Sequence, residues 1–92
     1  MAFLITRDFF AEAAEGEVPS RAGVIGPSGT SLTRDAIRMV GKRFRMYDAD
    51  GELYMEGKHV GEDLFEPLDG LGAPDAGCTE IRYLENGLWK PL

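Results

Sequence analysis

Apolar and polar residues alternate in residues 43–47 and again in residues 52–56, on either side of a turn-forming run at residues 48–51. An alternation of period two is typical of strands that bury one face, so we predict a β-hairpin. Pairing Tyr47 with Glu52 brings four apolar side chains onto one face and leaves opposite charges to pair on the other. These four apolar residues are Phe44, Met46, Leu53 and Met55.

A second hairpin is predicted near the end of the chain, where Asn86-Gly87 is a typical turn sequence. A two-residue turn would place Trp89 beside Leu84, whereas a three-residue loop would place Trp89 opposite Tyr83. We favour the three-residue loop because it gathers the aromatic rings on one face. Residues 63–68 are predicted to form one further short strand.

Two short helices are predicted from their capping residues. Thr6 is the expected N-cap of a helix over residues 7–16, with Gly16 as its stop. Thr33 is the expected N-cap of a second helix over residues 34–40. Both helices are amphipathic enough to pack on the sheet.

The sequence therefore predicts a single α+β domain over residues 1–92, because a chain of 92 residues can bury one thin core but not two. Its architecture is a small antiparallel sheet of about four or five strands, with two short helices packed on one face. Residues 16–31 form an ordered loop in which only Val24-Ile25 can make a short strand. The expected core consists of Phe9, Phe10, Ile37, Phe44, Met46, Leu53, Met55, Ile81, Tyr83 and Trp89.

Composition restricts the function classes. The apolar opening at residues 1–5 is interrupted by Arg7 and Asp8 and has no basic flank before it, so we expect neither a signal peptide nor a membrane span. A cytoplasmic location follows. The net charge of −6 argues against direct binding of nucleic acid, which requires a basic surface.

Charge is distributed unevenly along the chain. Five basic residues fall in residues 34–45, and we expect them to form a solvated face paired with nearby carboxylates. Carboxylates dominate residues 48–75, where aromatic residues are interleaved with them. Such a surface complements a basic partner. The expected partner-binding residues are Asp48, Asp50, Glu52, Tyr54, Glu56, Glu62, Asp63 and Glu66.

Two chemical motifs fall short of a complete site. A calcium loop beginning at Asp48 would need a glycine at its sixth position and an acid at its twelfth, but these are Leu53 and His59. The glycine-rich residues 26–31 lack the lysine of a phosphate-binding loop. We expect no metal site, no cofactor and no catalytic residues.

The chain also carries one cysteine and one histidine. Cys78 and His59 could pair as nucleophile and base, with Asp75 orienting the imidazole. That arrangement would make the protein a small hydrolase. A buried cysteine that packs as a small apolar residue is the commoner case.

Four segments of the second half, residues 44–54, 65–69, 77–83 and 86–89, resemble a family of small bacterial proteins of unassigned activity, some carried by phages and plasmids. In size and acidity the chain is also similar to phage anti-CRISPR proteins. The resemblance implies a non-enzymatic inhibitor of a nucleic-acid-handling complex such as a CRISPR effector. Its partner would be the basic surface of that complex, with no direct nucleic acid and no membrane.

Two alternatives stay open. The chain could be a housekeeping interaction or dimerisation module, whose contacts would be Tyr54 and the sheet edge at Pro91. It could also be the hydrolase based on cysteine and histidine. If the chain is a dimerisation module, it is expected to form a homodimer.

Overall fold

A six-stranded antiparallel sheet organises residues 2–92, which are the residues described by the structure, a computed structural model. The strand order is β2-β1-β4-β3-β5-β6. The strands are β1 (Ala2–Asp8), β2 (Ile25–Gly26), β3 (Lys42–Tyr47), β4 (Leu53–Val60), β5 (Glu80–Glu85) and β6 (Leu88–Pro91). The helices are α1 (Phe9–Ala13), α2 (Arg34–Val40), a π-helix (Leu68–Gly72) and α3 (Ala73–Ala76). The predicted α+β class is confirmed.

The first strand corrects the predicted start of the chain. Residues 2–5 are buried in β1, which lies between β2 and β4. A continuous apolar run fits this place because both faces of the strand are covered. The strand continues through Thr6, the expected N-cap, so α1 begins at Phe9, two residues after the predicted start. Its N-cap is Asp8, whose Oδ1 accepts a hydrogen bond from the Ala11 backbone N–H at 2.9 Å.

Helix α2 forms as predicted. The Thr33 hydroxyl accepts a hydrogen bond from the Ala36 backbone N–H at 3.1 Å, and the helix ends at Gly41. Ile37 is fully buried against Ala2 and Leu4 of β1. The helix therefore covers one face of the sheet at the β1 end.

The other face of the sheet is covered by the π-helix and α3, a layer that the sequence did not predict. The expected strand at residues 63–68 is absent in the described structure, and Leu68 and Leu71 bury their side chains from helical backbone instead. Their spacing of three residues is helical. Because α2 lies on the opposite face, the helices of the described residues cover both faces of the sheet and not one face as predicted. The main core consists of Phe3, Ile5, Phe44, Met46, Met55, Leu68, Leu71, Cys78, Ile81 and Tyr83.

The β3–β4 hairpin is confirmed, but its register differs from the predicted one. Met46 lies opposite Met55, and Phe44 lies opposite Gly57. The register shifts between Met46 and Tyr47, which is a β-bulge. Gly57 suits its position because a Cβ there would come within 2.5 Å of the Phe44 ring.

The β5–β6 hairpin uses the two-residue turn, so the favoured three-residue loop is wrong. Asn86 and Gly87 have φ angles of 51° and 79°, as a type I′ turn requires. Trp89 consequently lies opposite Leu84, on the face away from Tyr83. Four of the expected core residues, Phe9, Phe10, Leu53 and Trp89, are only partly buried.

Candidate binding surfaces

Basic side chains are largely neutralised within the fold. Eight of the ten lysines and arginines lie within 4.0 Å of a carboxylate oxygen in residues 2–92. The other two, Arg34 and Lys58, donate hydrogen bonds to the backbone carbonyls of Gly23 and Arg38. Most of the basic residues in 34–45 are paired with carboxylates, as the sequence indicates. The outward-facing excess of charge is therefore negative.

Glu56 is bound by two arginines on the sheet face that α2 covers only in part. Its Oε1 accepts hydrogen bonds from Arg45 at 2.8 Å and from Arg43 at 3.0 Å. Burial alone would raise the pKa of Glu56, but the two guanidinium groups outweigh it and lower that pKa. Both guanidinium groups also lie over the Trp89 ring, at 5.4 and 4.1 Å from its centroid. The structure thus separates Glu56 from the other predicted partner-binding residues.

The packing of Arg43 and Arg45 on the Trp89 ring was not predicted from the sequence. The alternation of Arg43 and Arg45 along β3 indicated that the two side chains share a face. Placing Trp89 beside them required the register of β6, which depends on the turn type.

The β3–β4 turn brings together Asp48, Asp50, Glu52 and Tyr54. Asp48 Oδ1 accepts hydrogen bonds at 2.9 Å from the backbone N–H groups of Asp50 and Glu52. The hydrogen bond from Glu52 is the main cause that lowers the pKa of Asp48. Asp50 and Glu52 are exposed, and the Tyr54 ring packs on Phe10 of α1, with ring centroids 4.9 Å apart. The turn is therefore held together by the Asp48 carboxylate and flanked by aromatic surface.

Two further carboxylates belong to the same end of the sheet. Glu15 and Glu17 lie in the loop after α1, and Asp8 binds the backbone N–H groups of Ala11 in α1 and of Arg21 further along this loop. Asp8 in turn pairs with Met55 near the start of β4. We call these five carboxylates the acidic end: Glu15, Glu17, Asp48, Asp50 and Glu52. None of the five forms an ion pair within residues 2–92.

Glu62, Asp63 and Glu66 lie at the other end of β4, about 23 Å from the turn by the rise of an eight-residue strand. Asp63 accepts a hydrogen bond from Lys42 Nζ at 2.7 Å, and this bond is the main cause that raises the pKa of Lys42. Glu62 is exposed. The predicted partner-binding residues therefore form two separate groups, with Glu56 apart from both.

Glu66 contacts the buried side chain of His59. Glu66 Oε1 lies 3.5 Å from His59 Nε2, and the imidazole is completely buried. Neither ring nitrogen of His59 has a hydrogen-bond partner in the described residues, and the same holds for Glu66 Oε1. Nothing in the sequence placed these two residues together.

Cys78 lies elsewhere, beside Gly72 in the main core. Burial raises the pKa of its thiol to about 11, so the thiol is protonated at neutral pH. Asp75 lies 3.7 Å from the Arg21 guanidinium, while the nearest carboxylate to His59 is that of Glu66. Cys78 packs beside Gly72, His59 beside Glu66 and Asp75 beside Arg21. These contacts do not assemble the suggested hydrolase triad.

Residues 2–92 contain no group of three or more histidine, cysteine, aspartate or glutamate side chains arranged to hold a metal ion. In the same range, every helix is too short to cross a membrane.

Comparison with known proteins adds no relationship. Neither a family model, nor a curated protein, nor a solved structure matches this chain.

Proposed function

We propose that this protein is a non-enzymatic binding protein that docks its acidic end onto the basic surface of a nucleic-acid-handling complex. One observation carries the proposal: eight of the ten basic side chains are paired with carboxylates of the same chain, whereas the five carboxylates of the acidic end have no cation partner in residues 2–92. A concentrated charge of one sign steers encounter with a surface of the opposite sign.

Aromatic surface beside the carboxylates supports the same proposal. Interfaces draw most of their binding energy from a few desolvated anchors, among which tyrosine is common. Tyr54 and Phe10 are partly buried and packed on one another next to the turn. Because the two rings are already packed on one another, they lose little conformational freedom when they act as an anchor for a partner.

Competition with nucleic acid is the proposed mechanism of inhibition. Basic surfaces that hold nucleic acid bind phosphates through lysine and arginine, and a carboxylate-rich surface occupies the same groups. We extend the proposal to a bacterial CRISPR effector as the target, acting in the cytoplasm. This extension rests on the similarity in size and acidity to anti-CRISPR proteins.

The test is capture of the partner followed by release. The tagged protein is immobilised, a nuclease-treated bacterial lysate is applied, and captured proteins are identified by mass spectrometry. The proposal expects a nucleic-acid-binding protein that is released by an excess of its own nucleic acid. A captured protein that stays bound under saturating nucleic acid contradicts the competition mechanism.

The CRISPR extension has a separate test. Target-DNA binding by purified effectors of several types is measured with and without the protein, and at least one effector is expected to lose binding. If every effector keeps its target affinity, the extension fails while the wider proposal is decided by the capture experiment.

A further inference from the structure

A cleft of about 350 Å³ lies between β2 and the π-helix and is open to solvent on one side. Its volume is within the range of about 300–1,000 Å³ that ligand pockets occupy. The wall is mostly apolar, with Phe3, Val24, Ile25 and Leu71 as its larger side chains. A cleft of this size and lining can take an aliphatic chain.

The charged groups in the wall are both carboxylates, from Glu66 and Asp75. Arg21 already lies 3.7 Å from the Asp75 carboxylate and donates to the Asp75 carbonyl at 2.8 Å. Within residues 2–92, Glu66 pairs with no lysine or arginine, and its one basic neighbour is the buried His59. Glu66 is therefore the carboxylate of the wall that can receive a cationic ligand.

Glu66 and His59 together form a polar site that the protein leaves unsatisfied. Glu66 Oε1 and both ring nitrogens of His59 are buried and without hydrogen-bond partners in the described residues, and Oε1 lies 3.5 Å from Nε2. Buried polar atoms in folded proteins are nearly always hydrogen-bonded, so the Glu66 carboxylate, which lines the cleft, is the group in its wall that a hydrogen-bond donor would satisfy. An ammonium group supplies three N–H donors and the positive charge that a carboxylate requires.

We propose that this cleft binds a primary alkylammonium group, with the ammonium hydrogen-bonded to Glu66 and the aliphatic chain along Phe3, Val24 and Leu71. The same chemistry occurs in the side chain of a protein lysine and in a free aliphatic amine. An anionic ligand is disfavoured because it would meet two carboxylates in the wall. This site stands on its own observations and does not depend on the acidic end.

The experiment titrates the full chain at pH 7 with n-hexylamine, n-hexanol and n-hexanoate, and follows backbone amide resonances by NMR. Hexylamine is protonated at this pH, as a lysine side chain is. Saturable shifts at Ile25, Gly26 and Leu71 are expected with hexylammonium, with at least tenfold weaker binding of hexanol and hexanoate. Equal binding of hexanol and hexylammonium would show that the cleft recognises only the chain, and overturns the proposal.

Matched variants assign the site. Glu66→Gln keeps the shape of the side chain and removes its charge, and is expected to weaken hexylammonium at least tenfold. Glu62→Gln makes the same change at an exposed carboxylate outside the cleft, and is expected to leave affinity within twofold. Gly70→Leu adds a side chain to the wall at a position where a Cβ meets no atom within 4 Å, and is expected to block binding. If Glu66→Gln and Gly70→Leu both bind like the wild type, the assignment is wrong.

Nα-acetyl-lysine methylamide distinguishes the two sources of the ligand. Saturation at the same resonances identifies a lysine side chain of a partner protein, whereas binding of hexylammonium alone identifies a free amine. Either result supports the site. The variant Asp50→Lys/Glu52→Lys should bind hexylammonium as the wild type does. Ammonium binding in the cleft is therefore tested separately from the proposed docking through the acidic end.

Discussion

The buried carboxylate of Asp8 accepts a hydrogen bond from the Arg21 backbone N–H at 3.0 Å, and the Arg21 guanidinium lies 3.5 Å from the same oxygen. The other carboxylate oxygen caps α1. One side chain thus fixes the start of the helix and the return of the loop that carries Glu15 and Glu17. The shape of the acidic end depends on this group.

Replacing Asp8 should therefore destabilise the protein strongly. Asp8→Ala removes a helix cap and leaves buried donors unpaired, which costs about 2–4 kcal/mol of unfolding free energy. Urea denaturation measures the change. Asp50→Ala, at an exposed carboxylate, should leave the denaturation midpoint nearly unchanged, and equal losses in the two variants would contradict the role of Asp8.

Two glycine substitutions should differ in stability. A Cβ at Gly57 would lie 2.3 Å from the Leu4 carbonyl oxygen and 2.5 Å from the Phe44 ring, whereas a Cβ at Gly70 meets no atom within 4 Å. Gly57→Ala is expected to cost about 3 kcal/mol or more because the clash involves backbone in the middle of the sheet. Gly70→Ala should be neutral or stabilising by up to about 1 kcal/mol. Similar unfolding midpoints for the two variants would rule out the close approach of β1 and β4.

Sequence patterns predicted those elements whose formation depends on residues that are close together in the chain. Alternation identified the β3–β4 hairpin, the Asn86-Gly87 turn sequence identified the β5–β6 hairpin, and the Thr33 cap located α2. The position of β1 was missed because an apolar run such as residues 2–5 does not by itself show that both faces of a strand will be covered. The β3–β4 register was missed because a β-bulge adds a residue to one strand, which alternation alone does not reveal.

The same distinction applies to the surfaces. The exposed carboxylates of the turn follow from composition and turn chemistry. Glu56 belongs to the same acidic stretch, and the predicted register already placed Arg43 opposite it. The observed register places Arg45 opposite Glu56 instead, and both guanidinium groups bind the carboxylate. The approach of Glu66 to His59 depends on how the linker between β4 and the π-helix crosses the sheet, where Tyr83 donates its hydroxyl to the Leu64 carbonyl at 2.7 Å. Sequence pattern alone does not specify such a contact.

Arg45 and Trp89 should be energetically coupled. The guanidinium lies 4.1 Å from the ring centroid while its Nε is hydrogen-bonded to Glu56. A double-mutant cycle with Arg45→Met and Trp89→Leu should give a coupling of about 0.5–1 kcal/mol. The cycle with Arg34→Met in place of Arg45→Met serves as the control and should show none. Additive losses in the Arg45 cycle would mean that the contact contributes nothing to stability.

Stability should fall at alkaline pH because of two buried groups. Burial raises the pKa of Cys78 to about 11 and that of Tyr83 to about 12, above the values of about 8.5 and 10 of the unfolded chain. The unfolded chain therefore releases these protons first. The stabilisation is complete below pH 8.5, declines as pH rises through 9 to 12, and is lost above the folded pKa values.

Urea midpoints at pH 7.5, 9.5 and 10.5 measure this decline. Cys78→Ala should show a shallower fall than the wild type between pH 9.5 and 10.5, since only the Tyr83 contribution is left. Native Cys78 should also react slowly with a thiol reagent at pH 8 and quickly in urea. Rapid reaction in the native state would show that the thiol is accessible and ionised.

The most direct test of the central claim compares the affinity of the captured partner for three forms of the protein. Asp50→Lys/Glu52→Lys reverses two charges of the acidic end, and Glu62→Lys/Asp69→Lys makes the same net change at exposed carboxylates outside it. Calorimetry at low and physiological salt should show at least a hundredfold loss for the first variant, less than fivefold for the second, and weaker wild-type binding as salt rises. Equal affinities of the two variants would contradict docking through the acidic end.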